Sequence, residues 1–218
     1  MTNLHGEDLA LHELGLKYHL DKAYAHEYTL EFYPRHLEAI RETAKLIVEV
    51  GVWDGGSLRM WSEYFEQARL LGIDINFSRI KAPIPRCNLR YADQSKPEDL
   101  KIAFSDISND SVDMIIEDGM HTSRCQQICF GFLFPFVKPG GRYIIEDLQS
   151  SVSWPGEKDE QMNSLEMLRN MQHSGEVDST HMTTEQKLYI RDNMAEIDIY
   201  TRTPEFDKSV SAVIYKKS

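Results

Sequence analysis

The sequence predicts an α/β fold: a Rossmann-like, seven-stranded, mostly parallel sheet with helices on both faces and a C-terminal antiparallel hairpin. Apolar, β-branched runs alternate with helical patterns between residues 45 and 148, and such alternation is typical of parallel sheets. A glycine-rich stretch follows the first run. Near the C-terminus, two strand-like runs are separated by too few residues for a crossover helix, so they should pair antiparallel.

The predicted strands follow one another as apolar segments, and the central ones are continuous, as expected for strands buried on both faces. They are KLIVEVGV (45–52), RLLGIDI (69–75), NLRYADQS (88–95), VDMIIEDG (112–119), RYIIEDL (142–148), MAEIDIYTRTP (194–204) and SVSAVIYKK (209–217). We expect the segment KPGG (138–141) to break the chain before the fifth strand.

Helical patterns fill the connections between these strands. Residues 55–57 are expected to open a helix, and Pro97 lies near the first turn of another. Thr122 or Ser123 can cap a third helix, whose apolar residues recur at i, i+3, i+4 and i+7. The whole chain, 1–218, is predicted to be one domain.

Composition restricts the partners and the location. The chain has 218 residues, 41% of them hydrophobic and 27% charged, which suits one globular domain. Its net charge of −11 disfavours nucleic acid as the main partner, because phosphate binding needs clustered Lys and Arg. The sequence has neither a signal-peptide pattern nor an apolar run of 18 residues, so we expect a cytoplasmic protein without a membrane span.

The stretch VEVGVWDGGS turns from the first strand into a helix, where ligands bind in open α/β sheets. Gly51 allows a tight turn, and Gly55 allows a ligand to approach the backbone. A dinucleotide fingerprint needs glycine where Trp53 stands, which disfavours a nicotinamide or flavin cofactor. Asp74 and Asp93 end the next two strands. Either acid alone suits a turn or a cap, but together they favour a nucleoside pocket.

The pattern E-x-G-x-x-x-G, the acid after strand two and the terminal hairpin resemble class I S-adenosylmethionine-dependent methyltransferases over residues 40–217. The resemblance implies that Glu49 and Gly51 hold the methionine moiety, that Asp74 holds the ribose, and that Asp93 lies near the adenine. The expected cofactor-binding residues are Tyr28, Glu49, Gly51, Trp53, Gly55, Ser57, Asp74, Asp93 and Glu117.

Two similar phrases, IIEDGMH (115–121) and YIIEDLQ (143–149), end the fourth and fifth strands. Because these strands should be neighbours, Asp118, Glu146 and Asp147 are expected to converge. Three unpaired carboxylates repel one another, and a hard divalent cation such as Mg²⁺ relieves that repulsion. The alternative is that one acid caps a helix while the others face solvent.

Such a metal would suit methyl transfer from a sulfonium to an alcohol, because it lowers the pKa of the hydroxyl and orients it. His121 lies three residues beyond Asp118 and titrates near neutrality, so it is the candidate base. The alternative is that this histidine is structural or solvated.

IIEDGMH followed by FLFPFVKPGGRYIIEDLQSS resembles the metal-dependent sugar O-methyltransferases of the macrocin and mycinamicin group, with related cephalosporin hydroxylase-like and rhamnosyl O-methyltransferase proteins. The resemblance implies that Asp118, Glu146 and Asp147 bind Mg²⁺ and that His121 is the base. Met120 departs from the group, which commonly has a small polar residue there, and this leaves the acceptor open.

The stretch HLDKAYAHEYTLEFYPRHL also resembles this group, in Asp21, Lys22, His26 and Tyr28. The resemblance implies that residues 1–44 form a helical lid over the cofactor, and a lid without any chemistry is the alternative. Residues 150–193 are expected to be an insertion, helical in parts, on the acceptor side. Trp154 and Tyr189 offer apolar surface there, although its methionines suit core packing.

The sequence therefore predicts an S-adenosylmethionine- and Mg²⁺-dependent O-methyltransferase. Its acceptor is expected to be a sugar hydroxyl of a glycosylated natural product, a nucleotide sugar or a polysaccharide. We expect a small-molecule partner, no nucleic acid or membrane partner, and a homo-oligomer as one option. The alternatives are a catechol or phenol O-methyltransferase, a nicotinamide-dependent oxidoreductase and a non-catalytic binding module of the same fold.

Overall fold

The computed structural model describes residues 6–150, 163–202 and 209–218. Their strands form one seven-stranded sheet, made of β1 Leu46–Val50, β2 Arg69–Asp74, β3 Cys87–Tyr91, β4 Val112–Glu117, β5 Val137–Ile145, β6 Met194–Thr201 and β7 Val210–Lys216. The strand order is β3-β2-β1-β4-β5-β7-β6, and β7 is antiparallel to both of its neighbours. The predicted mostly parallel sheet and the C-terminal antiparallel hairpin are confirmed.

Helices pack on both faces of this sheet. In chain order they are α1 Gly6–Lys17, α2 Asp21–Tyr24, α3 Tyr28–Glu31, α4 Tyr33–Leu37, α5 Gly56–Tyr64, α6 Pro97–Ala103, α7 Ser123–Leu133, α8 Ser164–Ser174 and α9 Thr184–Asn193, with 3-10 turns at Glu38–Ile40 and Phe134–Phe136. Within the described ranges, no helix has the length and the apolar character that crossing a bilayer requires.

The central strands send alternate side chains into two separate cores. On β1, Ile47 packs with α1, α3, α4 and α5, whereas Val48 packs with α6 to α9 on the opposite face. On β4, Met114 and Ile115 divide between the two cores in the same way. Because both faces are buried, these strands need apolar residues at every position, which explains their continuous apolar runs.

Aromatic rings attach the N-terminal helices to the sheet. Tyr28, Phe32, Tyr33 and Trp61 are fully buried. The rings of Tyr33 and Trp61 meet edge to face, with centroids 5.0 Å apart, and Tyr28 and Phe32 meet similarly at 5.9 Å. Such pairs add to the stability that burial already provides. The pair of Tyr33 and Trp61 holds α4 against α5, and the pair of Tyr28 and Phe32 holds α3 against the residue that precedes α4.

The helix boundaries agree with the expected signals. Gly55 precedes α5 at φ 81°, a left-handed conformation that suits glycine. α6 begins at Pro97, and the hydroxyl of Thr122 caps α7 by accepting from the Cys125 backbone N–H at 3.3 Å. These three helices therefore begin where the sequence places them.

The prediction that KPGG breaks the chain before the fifth strand is wrong, because β5 runs through this segment from Val137. Val112 pairs with Val137 and Met114 with Arg142, so the register shifts between them. The extra residues of β5 form an irregularity, and Gly140 lies in it at φ 71°. The glycines therefore bend the strand, which is their usual effect at a bulge.

Residues 150–193 are helical in part, as expected, over α8 and α9. Met167, Met171 and Met182 are buried in the core on the α7 face, so the methionines pack as core residues. Tyr189 packs against the same core, and its hydroxyl accepts a 2.7 Å hydrogen bond from Lys216. Residues 151–162, with Trp154, lie outside the described residues. The acceptor-side role of the insertion stays a prediction.

Gly51 gives a direct test of the packing between β1 and β4. It adopts φ 89°, and a Cβ there would lie 2.1 Å from the Asp118 carbonyl oxygen. We expect Gly51→Ala to lower the free energy of unfolding by roughly 2 kcal/mol or more, through backbone strain and overpacking together. Urea unfolding followed by circular dichroism measures this loss.

Gly175 supplies the matched control. It also has a left-handed backbone, at φ 77°, but a Cβ there meets nothing within 4 Å. Gly175→Ala should therefore lower the free energy of unfolding only by the cost of the left-handed backbone, about 1 kcal/mol. Equal losses at the two positions would show that the close contact with Asp118 is not what limits position 51.

Candidate functional site

A cleft of about 880 Å³ opens at the carboxyl ends of the parallel strands. Of the residues predicted to act in the site, those that line the cleft are Gly51, Trp53, Ser57, Asp74, Asp93, Asp118, His121 and Asp147. The others are buried and are not among its lining residues, namely Tyr28, Glu49, Gly55, Glu117 and Glu146. The predicted residues thus divide into a lining set and a supporting set.

Asp74 holds the first glycine-rich turn in shape. Its Oδ2 accepts hydrogen bonds from the backbone N–H groups of Val52 at 2.7 Å and Trp53 at 3.2 Å. Its Oδ1 accepts from the Asn76 N–H at 2.9 Å. The end of β2 is therefore tied to the turn after β1, so both lie on the same wall of the cleft.

Trp53 and Arg79 form the outer part of that wall. Trp53 is 64% exposed and adopts a left-handed backbone at φ 51°. The Arg79 guanidinium lies 3.5 Å from the centroid of its indole ring. This cation–π contact places a flat apolar surface and a positive charge together beside the cleft.

Glu49 lies behind the same turn. Its carboxylate is fully buried and accepts hydrogen bonds from the Ser57 hydroxyl at 2.9 Å and the Trp61 indole at 3.4 Å. Burial raises the pKa of Glu49 to about 7, although the charge of Lys22 opposes the rise. Glu49 therefore supports the turn, and Ser57 connects it to the cleft.

The loop after β3 carries Asp93. Because β3 ends at Tyr91, Asp93 lies two residues beyond the strand, and the expectation that it ends the strand is wrong. Its Oδ1 accepts from the Ser95 N–H at 3.0 Å, and its Oδ2 lies 3.0 Å from the Lys96 ammonium. Hydrogen bonds from Ser95 and Lys96 lower the pKa of Asp93.

Gln94, which the sequence did not single out, joins this loop to the turn after β4. Its side-chain amide donates to Glu117 Oε1 at 2.8 Å, and its carbonyl accepts from the Met120 N–H at 2.9 Å. A Cβ on Gly119 would lie 1.7 Å from Gln94 Oε1. Burial raises the pKa of Glu117 to about 7. No periodic pattern in the sequence marks such a contact.

The parallel pairing of β4 with β5 brings the two acidic strand ends together. Glu117 pairs with Ile145, so the residues that follow each of them leave the sheet side by side. Asp118, His121 and Asp147 each place one ligand-type atom within 4.8 Å of the others. Carboxylate oxygens and an imidazole nitrogen at this spacing are able to hold a metal ion.

Glu146 takes a different direction from Asp147. It is 1% exposed, its Oε2 accepts from the Lys22 ammonium at 2.7 Å, and its Oε1 accepts from the Tyr33 hydroxyl. Lys22 also donates to Asp118 Oδ2. Glu146 thus contacts the N-terminal segment, whereas Asp147 lines the cleft. The assignment of Glu146 as a metal ligand stays a prediction.

The charges in this cluster are unbalanced. Burial raises the pKa of Asp118 and, together with the charge of Asp118, raises the pKa of Glu146 well above its usual range. Burial also opposes the charge of Lys22, but the surrounding carboxylates outweigh it and hold its pKa well above the usual value. Burial acts to raise the pKa of Asp147 as well, yet His121 and other neighbours lower it overall. Additional positive charge would stabilise this cluster.

His121 stands beside Asp147 at the start of α7. Its Nε2 lies 3.7 Å from Asp147 Oδ2, and its Nδ1 is buried without a hydrogen-bond partner among the described residues. Asp147 Oδ1 accepts from Gln149 at 3.0 Å and from the Tyr28 hydroxyl at 3.3 Å. Asp147 is therefore held in place by two donors while its other oxygen faces the histidine.

The four N-terminal residues that resemble the sugar O-methyltransferase group lie at or near the cleft. Asp21 and Lys22 line it, and Tyr28 reaches Asp147. His26 stacks on Tyr28, and its Nδ1 lies 2.5 Å from the Ser209 hydroxyl. The sequence marked these residues by resemblance alone. The contacts of Lys22 and Tyr28 with the carboxylates appear only in the structure.

Comparisons with known proteins agree with this geometry. No family model matches the chain. It is 39% identical over 149 residues to the 8-demethyl-8-alpha-L-rhamnosyl tetracenomycin-C 2'-O-methyltransferase of Streptomyces olivaceus, a match that covers 65% of this chain and 38% of the relative. It is 34% identical over 157 residues to the mycinamicin VI 2''-O-methyltransferase of Micromonospora griseorubida, which covers 67% of this chain and 37% of the relative.

Among solved structures, the fold matches MycE methyltransferase from the mycinamycin biosynthetic pathway, in a complex with Mg, SAH and mycinamycin VI. The TM-score is 0.76 at 28% identity, and the match covers 95% of this chain and 54% of that one. The chain spans less than two fifths of the length of the two curated relatives. The expected resemblance to sugar O-methyltransferases and the methyltransferase fold are both confirmed.

Gln94 offers a test of how the site is held together. We expect Gln94→Leu to lower the free energy of unfolding by roughly 1–3 kcal/mol, because it removes a donor to buried Glu117 and the acceptor of the Met120 N–H. Urea unfolding measures the change.

Gln172→Leu is the matched control for this substitution. Gln172 is exposed, and its amide donates to the Ile197 carbonyl at 2.9 Å, on β6 at the edge of the sheet. We expect the free energy of unfolding of Gln172→Leu to be close to that of the native chain. If both variants lose the same amount, the bridge formed by Gln94 does not stabilise the site.

Proposed function

We propose that this chain is an S-adenosylmethionine- and Mg²⁺-dependent O-methyltransferase unit that acts on a sugar hydroxyl. The observation that carries the proposal is the convergence of Asp118, His121 and Asp147 at one end of a cleft, with the glycine-rich turn and Asp74 lining the same cleft. The named activities of the relatives, all sugar O-methyltransferases, support it.

We assign the cofactor to the wall formed by the first turn. Asp74 accepts one or two hydrogen bonds on each oxygen from the backbone. A carboxylate has about four acceptor positions, and the backbone uses three of them, so about one position remains, on Oδ1, for a ribose hydroxyl. Gly51 and Trp53 line the space beside the turn, and Asp93 lies near the proposed adenine end. Tyr28, Glu49, Gly55 and Glu117 would support this wall from behind.

We assign the Mg²⁺ to Asp118, Glu146 and Asp147. The donor chemistry fits a hard divalent cation, because these residues offer carboxylate oxygens in a cluster with an excess of negative charge. Asp118 and Asp147 already place ligand atoms within 4.8 Å of each other. When bound, the ion would lower the pKa of the acceptor hydroxyl and orient it.

We assign His121 as the base. Asp147 Oδ2 lies 3.7 Å from His121 Nε2, which is beyond hydrogen-bond distance but close enough for its charge to stabilise the imidazolium formed when the ring accepts the hydroxyl proton. The histidine also lines the cleft, so an acceptor hydroxyl can reach it. The bond from the sulfonium sulfur to the methyl group would break as the new bond to the acceptor oxygen forms. The hydroxyl proton would pass to His121, and S-adenosylhomocysteine would be released.

The acceptor is proposed to be a sugar hydroxyl of a glycosylated natural product, a nucleotide sugar or a polysaccharide. Met120, which is 57% exposed and lines the cleft, would meet the apolar side of that acceptor. A catechol or other phenol is the alternative, since a phenol ionises with less help from a base. A cytoplasmic location, a lack of nucleic-acid partners and homo-oligomers stay predictions.

Metal removal tests the proposed ligands. We expect methyl transfer to a sugar acceptor to stop in excess EDTA and to return when Mg²⁺ is added. Asp118→Asn and Glu146→Gln should each abolish turnover, yet retain binding of S-adenosylhomocysteine in isothermal titration calorimetry, because both substitutions keep the backbone contact between Gly51 and Asp118 that ties the cofactor wall to the cluster.

Asp106→Asn is the control for these two variants, since this carboxylate is exposed and pairs with Arg90 away from the cleft. It should leave turnover and its metal dependence unchanged. Normal turnover by the Asp118 or Glu146 variant, or by the native chain in excess chelator, would contradict the metal assignment.

Replacing the histidine tests the base and separates the two acceptor classes. We expect His121→Ala to lower kcat at neutral pH by roughly 10²–10⁴-fold, the usual contribution of a positioned base. Rates are measured with sugar and catechol acceptors, and exposed His173→Ala serves as the control. Full activity of His121→Ala toward a catechol, with no activity toward sugars, would favour the phenol alternative.

A further inference from the structure

Lys22 is a buried cation inside the proposed metal cluster. Its side chain is 4% exposed, although lysines are rarely buried in proteins. The ammonium donates to Asp118 and, at 2.7 Å, to Glu146, which lie 96 and 124 residues further along the chain. A segment from the start of the chain therefore inserts one positive charge between the ends of two central strands.

The ammonium occupies the oxygen atoms that a metal ion would use. Glu146 Oε2 accepts from Lys22 and Glu146 Oε1 accepts from Tyr33, so both oxygens of this buried carboxylate are engaged. Asp118 Oδ2 is engaged by Lys22 as well. A divalent cation and an ammonium repel each other, and both favour the same carboxylate oxygens. The two cations must therefore compete for this cluster.

We propose that Lys22 is a positioning residue that stands in for the divalent cation between Asp118 and Glu146, and that it releases them when the metal binds. The inference rests on the proposed function, because it takes these carboxylates as metal ligands. In the metal-free protein, Lys22 keeps the two acids close together despite their repulsion. On metal binding, the ammonium leaves these oxygens.

The release of Lys22 would also change how the N-terminal segment is held against the strand ends. Lys22 belongs to α2, and its neighbours Leu20 and Asp21 line the cleft. Losing the contacts of Lys22 with Asp118 and Glu146 removes a direct link between α2 and the ends of β4 and β5. Metal loading is therefore coupled to the position of the segment that borders the cleft.

Lysine labelling tests this in the native chain. The protein is freed of divalent ions and acetylated with an N-hydroxysuccinimide ester, without and with saturating Mg²⁺, and each lysine is quantified by mass spectrometry. We expect Lys22 labelling to rise several-fold with Mg²⁺. Lys216, which is equally buried but contacts Asp110 instead, should stay protected. Exposed Lys17 should stay reactive in both states.

Metal affinity gives the second measurement. Removing a competing cation should tighten binding, so we expect Lys22→Met to bind Mg²⁺ about 5- to 150-fold more tightly than the native chain in isothermal titration calorimetry. Lys17→Met is the matched control and should bind as the native chain does, because its partner Glu63 lies outside the cleft.

The outcomes separate the two proposals. Tighter binding by Lys22→Met together with Mg²⁺-dependent labelling supports the competition. Equal or weaker binding, with Lys22 protected in both states, overturns it and leaves the proposed function standing. If neither the native chain nor Lys22→Met binds Mg²⁺, the metal assignment fails and this inference fails with it.

Discussion

The parallel pairing of β4 with β5 is the constraint on which the rest of the site depends. It places Glu117 opposite Ile145, so that Asp118 and Glu146 leave the sheet side by side. Two like charges about 4 Å apart repel by about 4 kcal/mol where the effective dielectric constant is about 20. A fold that brings these acids together must also bring a cation, and Lys22 supplies one from the N-terminal segment, 96 and 124 residues before them. The strand pairing that builds the sheet therefore also creates the charge repulsion that Lys22 relieves.

Close backbone contacts hold the two sides of the cleft at a fixed separation. Gly51, in the turn after β1, lies so near the Asp118 carbonyl that no side chain fits between them. Gln94, in the loop after β3, bridges Glu117 and Met120 on the turn after β4. The cofactor wall and the carboxylate cluster are thus connected directly, and the geometry of one constrains the other.

The sheet and the strand ends could be predicted from the sequence because both depend on local pattern. Continuous apolar runs mark strands buried on two faces, and parallel topology then places Asp118 near Asp147. The contacts of Glu146 with Lys22 and Tyr33 could not be predicted, because they join residues 124 and 113 positions apart and leave no periodicity. The segment 138–141 led to a wrong prediction for a related reason. Val137 and Arg142, on either side of it, pair with β4 and keep it within the strand, whereas its glycines locally favour a turn.

These long-range contacts also bear on the role of the N-terminal segment. A lid without chemistry needs only an apolar underside, and the buried side chains of Phe32 and Leu37 would suffice for that. The segment instead sends polar side chains to every acid of the cluster. Lys22 reaches Asp118 and Glu146, Tyr33 reaches Glu146, and Tyr28 reaches Asp147. Burying polar groups is unfavourable unless partners satisfy them, so this arrangement exists because donors and carboxylates meet. The segment is therefore part of the site that it borders.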